Sequence, residues 1–274
     1  MPEQMKISLI ITTYNSAQLL DNCLRSVSRQ VEMPCEVIIA DDGSSDNTKD
    51  VVNAWRKQIP VPIKHVWQED KGFRASRVRN LAFANAEGDY LIIIDGDIIL
   101  NKYFVLDHHE IAREGCFVCG SRVVMSPELT KYMQDHELTE MPLSHLSVDK
   151  WPNTLRNKTL RNMLAPYYGQ RLYKGRSCNM AFWKKDMEKV NGFNEDFVGW
   201  GLEDTDFIAR MQQAGIKKHF LKFGGIQYHQ YHKERPANNF AERQQLIADI
   251  VSSKLPYRCS KGYDRHLVAV KEQK

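Results

Sequence analysis

The sequence predicts an α/β protein with a mostly parallel central sheet flanked by helices. Three observations carry this. Apolar runs of strand length at Lys6–Thr13, Cys35–Ala40 and Tyr90–Asp97 lack inside–outside alternation, as strands buried on both faces do. Segments of helical period separate the first of these runs, giving strand, helix, strand, helix within ~50 residues, the pattern of βαβ units. Each run also ends in a turn rich in Asn, Asp, Ser or Gly, where open α/β sheets bind ligands.

The elements follow in order. After the first strand, Tyr14-Asn15-Ser16 breaks the run, and Ser16 is placed to cap a helix with Leu19, Leu20, Cys23, Leu24 and Val27 inward. The second strand ends in Asp41-Asp42-Gly43-Ser44-Ser45-Asp46, ahead of a helix carrying Val51, Val52 and Trp55. Val61–Trp67 supplies a third strand. The segment from Gly72 opens a helix running to Ala86 with Ala75, Val78 and Ala82 on one face, and Glu87-Gly88-Asp89 turns the chain into the central strand. Phe117–Met125 and Ser177–Trp183 read as further strands. Between them, from Ser126 to about Asn179, Pro127, Pro142, Pro152 and Pro166 interrupt any long element, and loops of that length in a compact enzyme are usually lids or binding segments. Glu203 begins a helix with Phe207, Ile208, Met211 and Ala214 inward and Gly215 as its stop. Phe240–Leu255 is an amphipathic helix before a basic tail. The domain expectation is one unit over 1–239, in two halves at 1–100 and 101–239. Residues 240–274 form a C-terminal appendage.

Bulk composition excludes several classes. At 274 residues, 42% hydrophobic and 26% charged, the chain is an ordinary globular one. A net charge of +4 gives no reason to expect nucleic acid as a partner. The six cysteines are scattered; Cys116 and Cys119 have redox or zinc half-site spacing, but no second pair follows, so they read as structural. The chain enters a strand at once, without an apolar signal segment, and no run approaches the ~20 residues of a membrane span. A reduced, cytoplasmic setting is the expectation, with peripheral contact at the inner membrane face as a minority reading of the C-terminal helix. Between Lys150 and Lys185 stand nine Lys or Arg and no Asp or Glu. They form either a positive face balanced by acids from elsewhere or a surface for an anionic partner, substrate or acidic lipid.

The candidate chemistry sits at the turns. Asp95-Gly96-Asp97 puts two hard oxygen ligands at the carboxyl end of the central strand, suited to a divalent cation that also holds phosphates. Arg74, Arg77 and Arg79 cluster at the start of a helix one connection upstream, either as a solvated face or as a phosphate grip. Glu203 and Asp204 begin a helix, where acids favour the dipole and where one also suits a general base. His229 and His232 stand three apart beside aromatics as candidate imidazole ligands.

Ile10-Ile-Thr-Thr-Tyr-Asn15, Ala40-Asp-Asp-Gly-Ser-Ser-Asp46 and Asp95-Gly-Asp97 occur in the order and approximate spacing of a known family. The chain resembles the inverting family-2 glycosyltransferases of the GT-A, Rossmann-like fold. Gly199-Trp-Gly-Leu-Glu-Asp-Thr-Asp206 is similar to a segment of β1,4-galactosyltransferases and of bacterial chondroitin- and hyaluronan-type synthases. The resemblance implies that Thr13 and Tyr14 border a uracil and that Asp42 holds the uridine. It implies that one of Arg74, Arg77 and Arg79 faces the nucleotide or pyrophosphate. Asp95 would contact ribose or metal-bound water, Asp97 the metal, and His229 would complete the metal shell with His232 as its alternate. Glu203 would bind sugar hydroxyls, Asp204 would be the base, and Trp200 would stack on the sugar. The expected cofactor is Mn²⁺, with Mg²⁺ as substitute; the expected partners are a UDP-sugar donor and a glycan acceptor, anionic or lipid-linked. Two other classes remain open: a nucleotidyltransferase, against which Thr12-Thr-Tyr-Asn-Ser16 is not a glycine- and lysine-containing phosphate loop, and an inactive UDP-sugar-binding module.

Overall fold

The computed structural model describes residues 5–145, 153–168, 175–199, 201, 203–233, 245–246, 248–250, 252, 254 and 256–267. The first hundred residues form β1 (Ile7–Thr13), α1 (Ala17–Val27), β2 (Glu36–Asp41), α2 (Thr48–Trp55), β3 (Ile63–Trp67), α3 (Ala75–Asn85), β4 (Tyr90–Asp95) and β5 (Ile98–Leu100). β1 pairs in parallel with β2 and β4, and β2 with β3. The order β3-β2-β1-β4 reverses direction between β1 and β4. Such a switch point opens a crevice beyond the strands' carboxyl ends. Thr12 stands beside Asp95 there, so the Asp-Gly-Asp turn lies at the mouth of that crevice.

The parallel strands are apolar on both sides because both faces are covered. Leu9 and Ile11 pack with α1 and α2, whereas Ile10 and Ile38 pack with α3 and with two helices from the second half. Those are α7 (Lys184–Val190) and α8 (Glu203–Gln213).

The second half departs from the expectation in three places. Phe117–Met125 is not one strand but β6 (Cys116–Gly120) in the main sheet and β7 (Val123–Val124) in a smaller one. The chain bends around Asn179, whose Nδ2 donates to Ser121 O at 2.9 Å and Gly225 O at 3.0 Å. Ser177–Asn179 is a 3₁₀ turn rather than strand, since the Ser177 amide is taken by the Asp204 carboxylate, and only β8 (Met180–Trp183) joins the sheet. The interrupted region also holds helices α5 (Pro127–Asp135) and α6 (Lys158–Tyr168). Pro127 starts α5 instead of breaking it: proline suits the first helical position, and Ser126 Oγ accepts from Leu129 N at 3.2 Å.

Before β6 lies α4 (Phe104–Ile111), and after α8 come β9 (Lys217–Leu221) and β10 (Gln227–His229). The main sheet reads β3-β2-β1-β4-β8-β6-β9, with β8 antiparallel to its neighbours; β5-β10-β7 forms the small sheet.

Four of the described residues of the basic run are in ion pairs. α4 lies outside it and supplies the acids: Arg156 Nη2 is 2.9 Å from Asp107, Lys158 is 2.7 Å from Glu110, and Arg161 reaches both acids. Lys185 pairs with Glu114 at 3.1 Å. The described part of the basic tail is likewise paired, Lys261 with Asp196 at 2.6 Å and Arg258 with Asp264 at 3.0 Å. Residues 245–246 and 248–250 are helical and Ile250 is buried, while Phe240, Ile247 and Val251 lie outside the described residues. Among the described residues no helix is long and apolar enough to cross a membrane. All six cysteines are free thiols, and Cys119 is fully buried in the main sheet.

Candidate active site

Two loops close the base of the crevice. Asn15 bends back in the left-handed region (φ 46°), and its Oδ1 accepts from Ser45 N at 2.8 Å while its amide donates to Ser44 Oγ at 2.9 Å. Asp42 N donates to Thr13 O at 2.9 Å, so the ends of β1 and β2 are stitched together. The Asp42 carboxylate accepts from Gln68 Nε2 and from Arg74 N at 2.9 Å, capping the entry to α3. Thr13 is buried, and Tyr14 O–H donates to Asp70 at 2.8 Å. Gly96 crosses this floor closely. Its amide donates to Thr12 O at 2.8 Å, and a Cβ there would lie 3.2 Å from Thr13 Oγ1.

The small sheet assembles the second part of the site. β10 is its middle strand, antiparallel to β5 with His229 beside Ile98 and Gln230 N donating to Asp97 O at 2.9 Å. Asp97 therefore meets the end of β10. Its Oδ2 lies 3.3 Å from His229 Nε2 and 2.8 Å from His232 Nε2. One ligand atom from each of these three residues falls within 4.8 Å of the others. Both imidazoles thus converge on the strand-end acid, where His229 with His232 only as its alternate was expected. Burial works to raise the Asp97 carboxyl, but the hydrogen bonds from His229 and His232 outweigh it and hold it below the usual carboxylate range. Asp97 Oδ1 is buried without a hydrogen-bond partner among the described residues. One oxygen and two nitrogens converging beside an orphaned carboxylate oxygen suit a divalent transition ion.

The third part is a knot of acids around Arg79. This guanidinium, its side chain 5% exposed, lies 3.6 Å from Asp95, 3.7 Å from Glu203 and 3.4 Å from Asp204, over the Phe193 ring. Burial raises the Asp95 carboxyl to about 7, with the charge of Asp97 adding to this and Arg79 opposing it. Burial also raises Glu203, reinforced by the Asp204 charge. Glu203 Oε2 accepts from Gly201 N at 2.8 Å. Asp204 reaches further out, its Oδ2 accepting from Ser177 N at 2.9 Å and Ser177 Oγ at 3.1 Å. Arg74 donates to Glu69 O, Arg77 to Gln68 Oε1, and Arg79 is enclosed by carboxylates. Trp200 lies outside the described residues.

Residues 8–176 match the Glycosyl transferase family 2 profile, and residues 159–233 match the N-terminal domain of galactosyltransferase. The chain belongs to glycosyl transferase family 2. It is 28% identical over 274 residues to a chondroitin synthase of Pasteurella multocida, covering 92% of this chain and 27% of that one. It is also 28% identical over 230 residues to a validoxylamine A glucosyltransferase of Streptomyces hygroscopicus subsp. limoneus, covering 77% of this chain and 48% of that one. The chain thus spans less than half the length of these relatives. Its fold is similar to that of S. aureus TarS in complex with UDP-GlcNAc (TM-score 0.62, 19% identity, 96% of this chain and 69% of that one). It is also similar to the mannosyltransferase PcManGT of Pyrobaculum calidifontis with GDP-Man and Mn²⁺ (TM-score 0.60, 18% identity, 85% and 59%).

In this family 2 chain the structure adds residues that sequence reading passed over. Ser177 was read as strand, yet it holds Asp204. Cys178 is buried where the charges of Asp95, Arg122, Asp97 and Asp204 all act on its thiol, and Asp95, 3.6 Å from Arg79, stands two residues before Asp97, so the Asp97–His229–His232 cluster and the acid knot are neighbours. No local pattern signals either residue; both are defined by a 3₁₀ turn that brings sequence-distant acids together.

Proposed function

We propose that this glycosyltransferase is metal-dependent and inverting. It moves a hexose, N-acetylhexosamine or uronic acid from a UDP-sugar to a hydroxyl of a glycan acceptor, in the synthesis of a bacterial cell-surface polysaccharide. The observation carrying this is the adjacency of two clusters: an acid with two imidazoles, and next to it, through Asp95 and Arg79, a helix-start carboxylate held by Ser177. The chondroitin synthases among the relatives support the substrate class, and the TarS complex with UDP-GlcNAc supports the nucleotide.

Asp97, His229 and His232 would hold the cation, and the mixed oxygen and nitrogen set favours Mn²⁺, with Mg²⁺ as a substitute. Bound there, the cation supplies Lewis-acid stabilisation of the departing diphosphate. The ends of β1 and β2, with Thr13, Tyr14 and Asp42, form the floor for uridine. Asp204 acts as general base. Its carboxylate takes the proton of the incoming hydroxyl as that oxygen bonds to the sugar's anomeric carbon and the bond to the diphosphate breaks on the opposite face. Ser177 holds Oδ2 and Arg79 faces Oδ1, which orients the carboxylate and sets the spacing between Asp204 and Asp95. Glu203, the more buried acid, anchors the loop through Gly201 and offers its remaining capacity to sugar hydroxyls.

The test is incubation with a panel of UDP-sugars, Mn²⁺ and glycan acceptors, reading free UDP and the mass of the product. Transfer with inverted anomeric configuration is expected. UDP binding without transfer or hydrolysis across the panel would reduce the protein to a binding module.

A further inference from the structure

Arg122 has no work in the site as described so far, yet the fold delivers it there. It precedes β7, which runs parallel to β10 with Val123 beside Tyr228 and Val124 beside His229. One step back along the register, Arg122 is level with Gln227. β10 thus has Asp97 at the start of one neighbouring strand and the Arg122 guanidinium at the start of the other.

Its charge reaches the same groups. Arg122 acts on Asp95, on His232 and on the Cys178 thiol, and its Nη1 lies 4.0 Å from Cys178 Sγ. Gln227 Nε2 approaches the same sulfur at 3.7 Å. Despite these acids nearby, no carboxylate lies within ion-pair distance of Arg122 among the described residues, and its Nε is buried without a partner. Gln227 Oε1 and Asp97 Oδ1 are also buried without partners. The contrast with the other enclosed guanidiniums is sharp: Arg79, Arg161 and Arg210 each face a carboxylate within 4.0 Å.

A partly buried guanidinium lacking a counter-charge is costly to keep. Orphaned polar groups of this kind need a reason in water, an ion or a ligand. Arginine's planar fork matches the paired oxygens of phosphate or carboxylate. We infer that Arg122 receives an anionic oxygen of the bound donor, forming the wall of the donor site across β10 from Asp97. This rests on the nucleotide-sugar reading above. Two parts of a donor present such an oxygen: the diphosphate, and the carboxylate of a uronic acid sugar.

The experiment compares wild type, Arg122→Gln and Arg122→Lys in calorimetric titrations with Mn²⁺ present. The probes are uridine, UDP, UDP-glucose, UDP-glucuronate and inorganic diphosphate. Loss of a charge-assisted contact corresponds to roughly a tenfold to hundredfold fall in affinity. If the diphosphate is the partner, Arg122→Gln loses this for UDP, both UDP-sugars and inorganic diphosphate, while uridine is unchanged. If the carboxylate is the partner, only UDP-glucuronate falls. In both arms Arg122→Lys keeps the charge without the fork and lies between the two, which covers the case in which the glutamine variant does not fold. Equal affinities for every anionic probe in both variants would overturn the inference, as would an equal fall that includes uridine. Wild type that binds inorganic diphosphate but no uridine compound would sink the UDP reading and leave Arg122 to be judged on diphosphate alone. Wild type that binds none of the anionic probes would sink both.

Discussion

Arg79→Met tests the central claim that one guanidinium holds the acid side of the cleft together. Its head lies 3.4–3.7 Å from Asp204, Asp95 and Glu203. At an effective dielectric of about 20, a charge pair 3.4 Å apart attracts by ~5 kcal/mol before desolvation is subtracted. Desolvating the guanidinium offsets most of this, but removing it leaves the carboxylates enclosed, which typically costs about 3–5 kcal/mol. The lower end is expected here, because the Asp95 and Asp204 side chains keep 30% and 21% of their exposure and water takes over part of the lost contact. The pH dependence gives the sign. Asp95 and Glu203 already have folded-state values raised above their unfolded ones, so each binds more protons folded than unfolded between those values, and stability falls as pH rises through that window. Without Arg79 both rise further, so the gap to wild type should widen from pH 4 toward pH 8. Urea unfolding of both proteins across this range measures it. A loss under ~1 kcal/mol, or one that does not change with pH, would show that Arg79 is not compensating these carboxylates.

Three other outcomes follow from the same geometry. Asp204→Asn should lower the transfer rate by a factor of ~10²–10⁴ while UDP affinity by calorimetry stays near wild type; a lost UDP affinity would take Asp204 out of the base role. Asp97→Ala should abolish the Mn²⁺ dependence of UDP binding, and His229→Ala or His232→Ala should each raise the Mn²⁺ concentration needed; an unshifted Mn²⁺ titration removes that residue from the ligand set. His108 is fully buried against Asn179, and burial lowers it to about 4 from 6.5. A base depressed in this way favours the fold fully above the unfolded value, so about 3 kcal/mol should be lost as pH falls from 6.5 to 4. His108→Gln should flatten that slope in acid unfolding, and an unchanged slope would assign it to other groups.

Much of the architecture was readable because its causes are local. Strands covered on both faces are written as apolar runs, and β1, β2 and β4 sit within a residue or two of the runs at Lys6, Cys35 and Tyr90. The Asp-Gly-Asp turn was readable for the same reason: a buried strand must end, and the two acids end it. The region from Ser126 to Asn179 was misread because prolines were counted as breakers, while Pro127 occupies a first helical position that needs no amide. The basic run was ambiguous because its counter-charges, Asp107 and Glu110 on α4 and Glu114 just after it, stand 48 to 71 residues away.

The sequence by itself determined the parallel half-sheet, the family membership and the residue types that the chemistry requires. Only the tertiary structure decided their partnerships. The pairing of β5 with β10 and of β10 with β7 brings Asp97, both histidines and Arg122 to one place, and the turn at Ser177 aims Asp204. The same structure puts Arg79 among acids. The physical reason is that charges find one another through space: a lone arginine in a sequence carries no mark of which carboxylate, or which ligand, will neutralise it.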